Sequence, residues 1–301
     1  MPKDTLSEFL EREKLPDSYR EQAQKNFIPF IETLRPLMGA EGRVPVLGIY
    51  GSQGSGKSTL AEFIHWYLQE REGLNIALLS LDDFYLRAAQ RKELASTTHP
   101  LLRTRGVPGT HDVPLALNTI AKLRSLSDDE TMRLPRFDKA RDDRAPEAAW
   151  PKVNGPIDLI VFEGWCVGAS PQSPAELTSP VNDLERLEDG DGGWRSYVNS
   201  CLAGEYQVLF GEIDYLLMLR APSFACVAGW RSEQERKLAQ RQTDAAAAKG
   251  VMSQQEILRF IQHYERLTTH CLKTLAAKAN CVMALGEQRE ILNVTSYRRR
   301  M

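Results

Sequence analysis

The chain is 301 residues long and carries 38 Lys and Arg against 40 Asp and Glu, a formal net charge of −2. That length holds one large domain or two small ones around a sizeable core, and 42% hydrophobic with 26% charged residues is the make-up of a globular protein, not of disorder or fibre. The balanced charge lacks the Lys/Arg excess of a nucleic-acid surface, and no apolar run approaches the ~20 residues of a membrane span. The start, Met1 to Asp4, has no secretory h-region, so the expected location is cytoplasmic, with no membrane and no nucleic-acid partner. Cys166, Cys201, Cys226, Cys271 and Cys281 are odd in number and contain no CxxC pair, which predicts reduced thiols, not a metal site or a disulfide framework.

In chain order, residues 1–42 read as a helical extension. Thr5 to Glu8 fits a capping box ahead of Phe9 and Leu10, and a second amphipathic stretch runs from about Ser18 to Leu37, bent at Pro29. After Gly39–Gly42 the chain turns apolar over 44–50. Further β-favouring runs follow at Ile76–Leu81, Ile157–Phe162, Tyr215–Leu219 and Cys281–Leu285, the pattern of a parallel sheet covered on both faces. Between them lie helical stripes: Leu60, Phe63, Ile64, Tyr67 and Leu68, and later Ile257, Phe260, Ile261, Tyr264 and Leu267 behind a second capping box at Ser253–Glu256. The alternation predicts a doubly wound α/β domain over 43–301. The polar stretch opening at Ala169 reads as a surface insertion reaching about residue 213.

Gly51-Ser52-Gln53-Gly54-Ser55-Gly56-Lys57-Ser58 matches GxxxxGK[ST] in full and is followed by Thr59. Glycines let a backbone wrap phosphate oxygens, the following helix N-terminus favours negative charge, the lysine reaches the outer phosphates and the serine hydroxyl suits Mg²⁺. A strand directly before and a helix directly after are the context this requires, so a nucleotide site is expected here.

No NKxD string is present for guanine. Asp189 to Gly192 satisfies DxxG but sits in a polar loop, and as a calcium loop it offers Leu187 and Val198 at ligand positions. Two strand ends deliver carboxylates to the edge of the sheet where open α/β folds bind ligands: Glu163, placed to hold Mg²⁺, and Asp82 with Asp83. A phosphoryl transfer to an alcohol needs a carboxylate for the hydroxyl proton, which is the role open to Asp82; either aspartate could instead cap the next helix. Two loops, 101–112 with Arg105, His111 and Asp112, and 133–139 with Arg136, combine basic and acidic residues as a clamp for a small hydroxylated anion would. Solvated surface and a structural histidine are the alternatives.

GSQGSGKST, SLDDFYL, HPLLRTRGVPGTHD, LPRFDKARDDRAP and LIVFEGWCVG, in that order over roughly 44–285, resemble the D-glycerate 3-kinase family, P-loop small-molecule kinases related to uridine kinase, pantothenate kinase and phosphoribulokinase. Two departures are His263–Leu267, where a Tyr- and Pro-rich helix end is expected, and Pro108. The resemblance implies a P-loop NTPase three-layer fold with a helical lid over about 222–250, supplying Arg231, Lys237 and Arg241 to phosphates. It implies ATP and Mg²⁺, with Ser58 and Glu163 at the metal, Asp82 as base, and Lys57 with Gly51–Thr59 at the nucleotide. Arg105, Arg136, His111 and Asp112 would then meet a small-molecule acceptor, D-glycerate. The rivals are a same-fold kinase acting on pantothenate, a nucleoside or a sugar phosphate, and a nucleotide-dependent switch without acceptor chemistry. Oligomeric state is not readable from the sequence.

Overall fold

The structure, a computed structural model, describes residues 5–38, 42–241 and 254–297. Four short helices come first: α1 (Thr5–Glu13), α2 (Asp17–Gln22), α3 (Ile28–Glu32) and α4 (Arg35–Met38), with a π-helical turn at Ala23–Phe27 between α2 and α3. The stretch expected as one bent helix is continuous from Asp17 to Glu32, with helical backbone at Gln22, Phe27 and Ile28 on either side of the π turn, and α4 follows as a separate turn. Pro29 directly follows the π turn, inside this helical run. Its ring would strike the carbonyl four residues back in a regular helix, and the π turn widens the backbone there.

The remaining elements are β1 (Val46–Gly51), α5 (Lys57–Glu72), β2 (Ile76–Ser80), α6 (Ala88–Thr97), α7 (Val113–Arg124), β3 (Thr131–Arg133), β4 (Phe137–Asp138), β5 (Asp143–Arg144), β6 (Lys152–Asn154) and β7 (Leu159–Gly164). They continue with α8 (Asp183–Glu188), α9 (Gly193–Ala203), α10 (Glu205–Phe210), β8 (Tyr215–Arg220), α11 (Phe224–Arg241), α12 (Gln254–Thr274), β9 (Cys281–Leu285) and β10 (Ile291–Ser296). Among the described residues a six-stranded sheet has the order β10-β9-β8-β1-β7-β2. Its first five strands in sequence are the five apolar runs, all parallel. The sixth, β10, runs antiparallel beside β9. It was not legible as a strand because it lies at the sheet edge and only Ile291 of its residues is buried, so no apolar run marks it. Two ribbons, β3–β6 and β4–β5, stand apart from the sheet.

Strand side chains alternate between two cores. Val46, Tyr50, Ile160, Phe162 and Met218 face one layer with Ile120, Tyr206 and Leu267. Leu47, Ile49, Val161 and Leu217 face the other with Leu60, Phe63 and Val227. This is the three-layer P-loop NTPase fold. α5 buries more than its expected stripe: Ala61 and Trp66 are covered as well as Leu60, Phe63, Ile64 and Leu68. The N-terminal helices close over its outer face, Phe9 meeting Phe63 at 5.3 Å between ring centroids and Trp66 at 4.9 Å.

Residues 169–213 hold α8, α9 and α10, and Leu184, Trp194, Tyr206 and Leu209 are buried in the first core. A buried ion pair ties this segment to α12: Arg266 donates to both carboxylate oxygens of Glu185 at 2.7 and 2.6 Å. Asp189, from the DxxG string, accepts from the backbone of Trp194 and Arg195 and pairs with the Arg195 guanidinium, so it caps α9. Ser253 of the second expected capping box, the side chain of Thr5 in the first, and Arg298–Arg300 lie outside the described residues.

Phe9 is fully buried, so Phe9→Ala should cost about 3–5 kcal/mol in urea unfolding. A loss below about 1 kcal/mol would show that α1 is not part of the folding unit.

Candidate active site

β1 ends in the loop Gly51–Gly56, and α5 begins at Lys57. Two glycines of this loop have left-handed backbone, Gly54 at φ +75° and Gly56 at +87°, a region a Cβ disfavours. Gly51 is required for space instead: a Cβ there would lie 2.5 Å from the Ser55 hydroxyl. The hydroxyls of Ser52 and Ser55 are buried with no hydrogen-bond partner. Buried polar groups rarely stay unpaired, so the loop is a cradle with unsatisfied capacity for polar ligand atoms.

β7 brings Glu163 to the cradle. The register sets it level with Ile49 of β1 and with Ser80 of β2. The Ser58 hydroxyl donates to Glu163 Oε1 at 3.1 Å, and Lys57 Nζ lies 3.9 Å from Oε2. That second oxygen is buried and has no hydrogen-bond partner. A hydroxyl and a carboxylate form a hard oxygen donor set, and an orphaned carboxylate oxygen beside them fits Mg²⁺.

Asp82 and Asp83 lie in a 3₁₀ turn, Leu81–Phe84, at the end of β2. Neither caps α6, whose first turn is closed by Gln90 on the Arg87 N–H. Asp82 accepts from the Tyr85 hydroxyl at 2.8 Å and from Lys139 Nζ at 2.7 Å. Burial pushes its carboxyl up, but Lys139 and Lys57 with these two hydrogen bonds hold it well below the ordinary range, so it stays ionised. Asp83 goes the other way: burial, tempered by Arg136 and the Phe137 N–H, pushes it up to about 6. Adjacent carboxyls held at different protonation tendencies are a pattern of acid–base sites.

The two loops expected as a clamp interlock. Arg136 donates to Asp83 at 2.9 Å. Arg105 pairs with Asp142 and lies 5.5 Å over the Phe137 ring. Asp112 caps α7 through the Leu115 N–H and accepts from Arg144 at 2.9 Å. His111 stacks on Tyr85 at 4.5 Å. Its Nδ1 lies 2.6 Å from the Tyr206 hydroxyl, which accepts from the Gly109 N–H. The imidazole Nε2 is buried without a partner. Arg231 of α11 stands 5.2 Å over Phe260 of α12; the side chains of Lys237 and Arg241, and residues 242–250 of the expected lid, lie outside the described residues.

The structure thus brings Lys57, Ser58, Glu163, Asp82 and Arg136 to one end of the sheet. It adds residues that sequence reasoning passed over. Tyr85 and Lys139 lay inside the quoted strings SLDDFYL and LPRFDKARDDRAP and touch Asp82. Arg144, in the second string, has a buried Nε without a partner. Arg91 is the least legible: it is buried in α6 and donates to the carbonyls of Leu86, Arg103 and Asp142, holding three chain segments together. A lone arginine in a polar helix gives no sign of this. Cys166, buried, has its thiol pushed well up by burial and carries no reactive thiolate.

No family model matches the sequence. The chain is 37% identical over 247 residues to an uncharacterized kinase of Schizosaccharomyces pombe, covering 80% of this chain and 85% of that one. It is 33% identical over 240 residues to a chloroplastic D-glycerate 3-kinase of Arabidopsis thaliana, covering 77% of this chain and 49% of the plant protein, about half its length. A solved D-glycerate 3-kinase of Cryptococcus neoformans superimposes with a TM-score of 0.73 at 27% identity, covering 92% of this chain and 98% of the other. A nucleotide cradle on this three-layer sheet, shared with such relatives, makes the protein an ATP-dependent P-loop kinase. It belongs to the family of small-molecule kinases that includes D-glycerate 3-kinase. Among the described residues no helix is long and apolar enough to cross a membrane.

His111 has a pH signature. Burial pulls its pKa down from 6.5 to about 3, so between those values the unfolded chain binds the proton that the folded one refuses. The stability it contributes is complete above about pH 6.5 and is lost as pH falls toward the folded value. From pH 8 to pH 5 this amounts to about 2 kcal/mol. In urea titrations His111→Gln should remove that increment of acid sensitivity; an unchanged slope would mean the imidazole is charged in the folded protein.

Proposed function

We propose that the protein transfers the γ-phosphoryl group of ATP to the 3-hydroxyl of D-glycerate, giving 3-phosphoglycerate. The observation that carries this reading is Asp82, a carboxylate kept ionised at the end of β2, beside the strand that presents Glu163 to the cradle. Its two oxygens accept one hydrogen bond each from Tyr85 and Lys139, and a carboxylate oxygen accepts more than one. Asp82 therefore orients the acceptor hydroxyl and takes its proton as oxygen attacks phosphorus and the bond to ADP breaks. Lys57 neutralises charge developing on the phosphoryl oxygens, Gly51–Thr59 cradles the phosphates, and Arg231 adds a cation from the lid. Ser58 and Glu163 would hold Mg²⁺, which would supply charge stabilisation for the transferring phosphoryl group.

A small hydroxylated acid suits the remaining groups. Arg105 and Arg136 are the carboxylate partners, and the buried Nε2 of His111 has no partner, a position a ligand hydroxyl would satisfy. Asp112 acts on the acceptor through Arg144, which it orients. Lys139 is 60% exposed at its side chain, free to leave Asp82 for an incoming anion. The names of the plant and fungal relatives favour glycerate among such acids. Residues 43–301 then form one kinase domain with the extension 1–42, the insertion 169–213 and a lid near 222–250. The free thiols suit a reducing cytoplasm.

ADP release measured over D-glycerate, pantothenate, uridine and ribulose 5-phosphate tests the acceptor. Turnover with D-glycerate is expected; turnover with another of these alone would replace the substrate but leave the chemistry. ADP release with none of them would favour a nucleotide switch. Asp82→Asn should lower kcat by roughly 10²–10⁴ while ATP affinity stays near wild type. Wild-type turnover in that variant would remove Asp82 from the base role.

A further inference from the structure

We infer that Arg289, in the turn between β9 and β10, is a positioning residue for the nucleotide cradle. The proposal rests on reading Gly51–Thr59 as that cradle. Arg289 is distant in sequence from the P-loop, yet its Nε donates to the carbonyl of Gly54 at 2.7 Å. The same guanidinium pairs with Glu233 of α11 at 2.7 Å and lies 5.3 Å over the ring of Trp230. Trp230 in turn donates its indole N–H to the Glu287 carbonyl at 2.7 Å. The tip of the P-loop, the root of the lid helix and the β9–β10 turn are thus joined through one side chain.

The bond to Gly54 acts on a particular peptide. In a trans peptide the C=O and the next N–H point in opposite directions. Holding the Gly54 carbonyl outward toward Arg289 turns the Ser55 N–H into the loop, where it donates to the Ser52 carbonyl at 3.2 Å. Gly54 is where such control is needed. A Cβ there would come within 2.7 Å of the Cβ of Trp230, and the residue sits at φ +75°. The glycine that the close approach demands leaves its own backbone flexible, so the peptide is held from within by the Ser55 N–H on Ser52 and from outside by Arg289. The arginine supplies the restraint that the glycine cannot.

A second, independent observation concerns Arg289 itself. Its backbone is left-handed, φ +69°, in a tight turn closed by the Arg289 N–H on the Gly286 carbonyl at 3.0 Å and the Gly286 N–H on the Glu290 carbonyl at 2.8 Å. Glycine is the favoured residue for that backbone in a hairpin turn. An arginine placed there accepts backbone strain in exchange for what its side chain does, and such strain collects at functional sites.

That placement makes Arg289→Gly the informative variant, because it relieves the backbone while deleting the guanidinium. Its thermal midpoint should equal or exceed that of wild type. Its affinity for Mg·AMP-PNP, titrated calorimetrically without acceptor, should weaken about tenfold, the scale of one charge-assisted hydrogen bond, while the acceptor KM stays unchanged. Arg289→Lys keeps a cation for Glu233 but lacks two forked donors and should weaken in the same way. An Arg289→Gly protein that binds the analogue as tightly as wild type overturns the proposal. So does one that loses nucleotide affinity, acceptor KM and thermal midpoint together, since that is a general structural role. If the folded wild type itself binds no analogue, and Lys57→Ala changes nothing, the cradle reading fails and this inference with it.

Discussion

Glu163 is the penultimate residue of β7, and the strand lies between β1 and β2 with parallel register on both sides. Because neighbouring parallel strands advance together, the residue that faces Ile49 also faces Ser80. The P-loop departs from the end of β1, and the Asp82 turn departs from the end of β2. The metal-suited carboxylate, the phosphate cradle and the ionised aspartate therefore converge from strand pairing alone. A slip of one residue in β7 would turn Glu163 to the opposite face and leave a carboxylate in an apolar layer.

Around this frame the charges are sorted by contact. Asp82 has a lysine and a tyrosine hydroxyl, Asp83 has an arginine, and Asp142 is shared between Arg91 and Arg105. The loops that bear these groups carry little regular structure beyond the short β4–β5 ribbon. Their shape comes from crossed ion pairs and from Arg91, whose guanidinium satisfies three carbonyls away from water. Such pairs define geometry more than they add stability, since water competes for partly exposed charges and leaves little net attraction. The net charge of −2 conceals this local order.

The helical layer shows how context changes the meaning of a pattern. On its own, α5 reads as an amphipathic surface helix with one apolar stripe. Ala61 and Trp66 are buried too, because the N-terminal helices supply a second apolar surface from Phe9, Phe27 and Phe30. In the same way a polar stretch rich in Pro, Ser, Asp and Gly contains three helices whose few large side chains reach the core. Its acidic residues Glu185 and Asp189 are buried where Arg266 and Arg195, with backbone N–H groups, meet them.

Features carried by contiguous residues were determined by the sequence itself. The five parallel strands are predominantly apolar runs, since burial on both faces disfavours polar positions except near the carboxyl ends, where Ser80 and Glu163 lie. The cradle is a string of eight residues, Gly51–Ser58, whose glycines and Lys-Ser pair are dictated by backbone shape and phosphate charge. The carboxylates at the ends of β2 and β7 follow once those strands are recognised. Tertiary structure alone decided what depends on residues far apart meeting: the exposed edge strand β10, the partnering of Asp82 with Lys139, the burial of His111 against Tyr206, and the contact of Arg289 with Gly54. A polar side chain in a sequence looks the same whether solvent or a carbonyl satisfies it. Only the folded chain, by excluding water from one of those places, makes the difference physical.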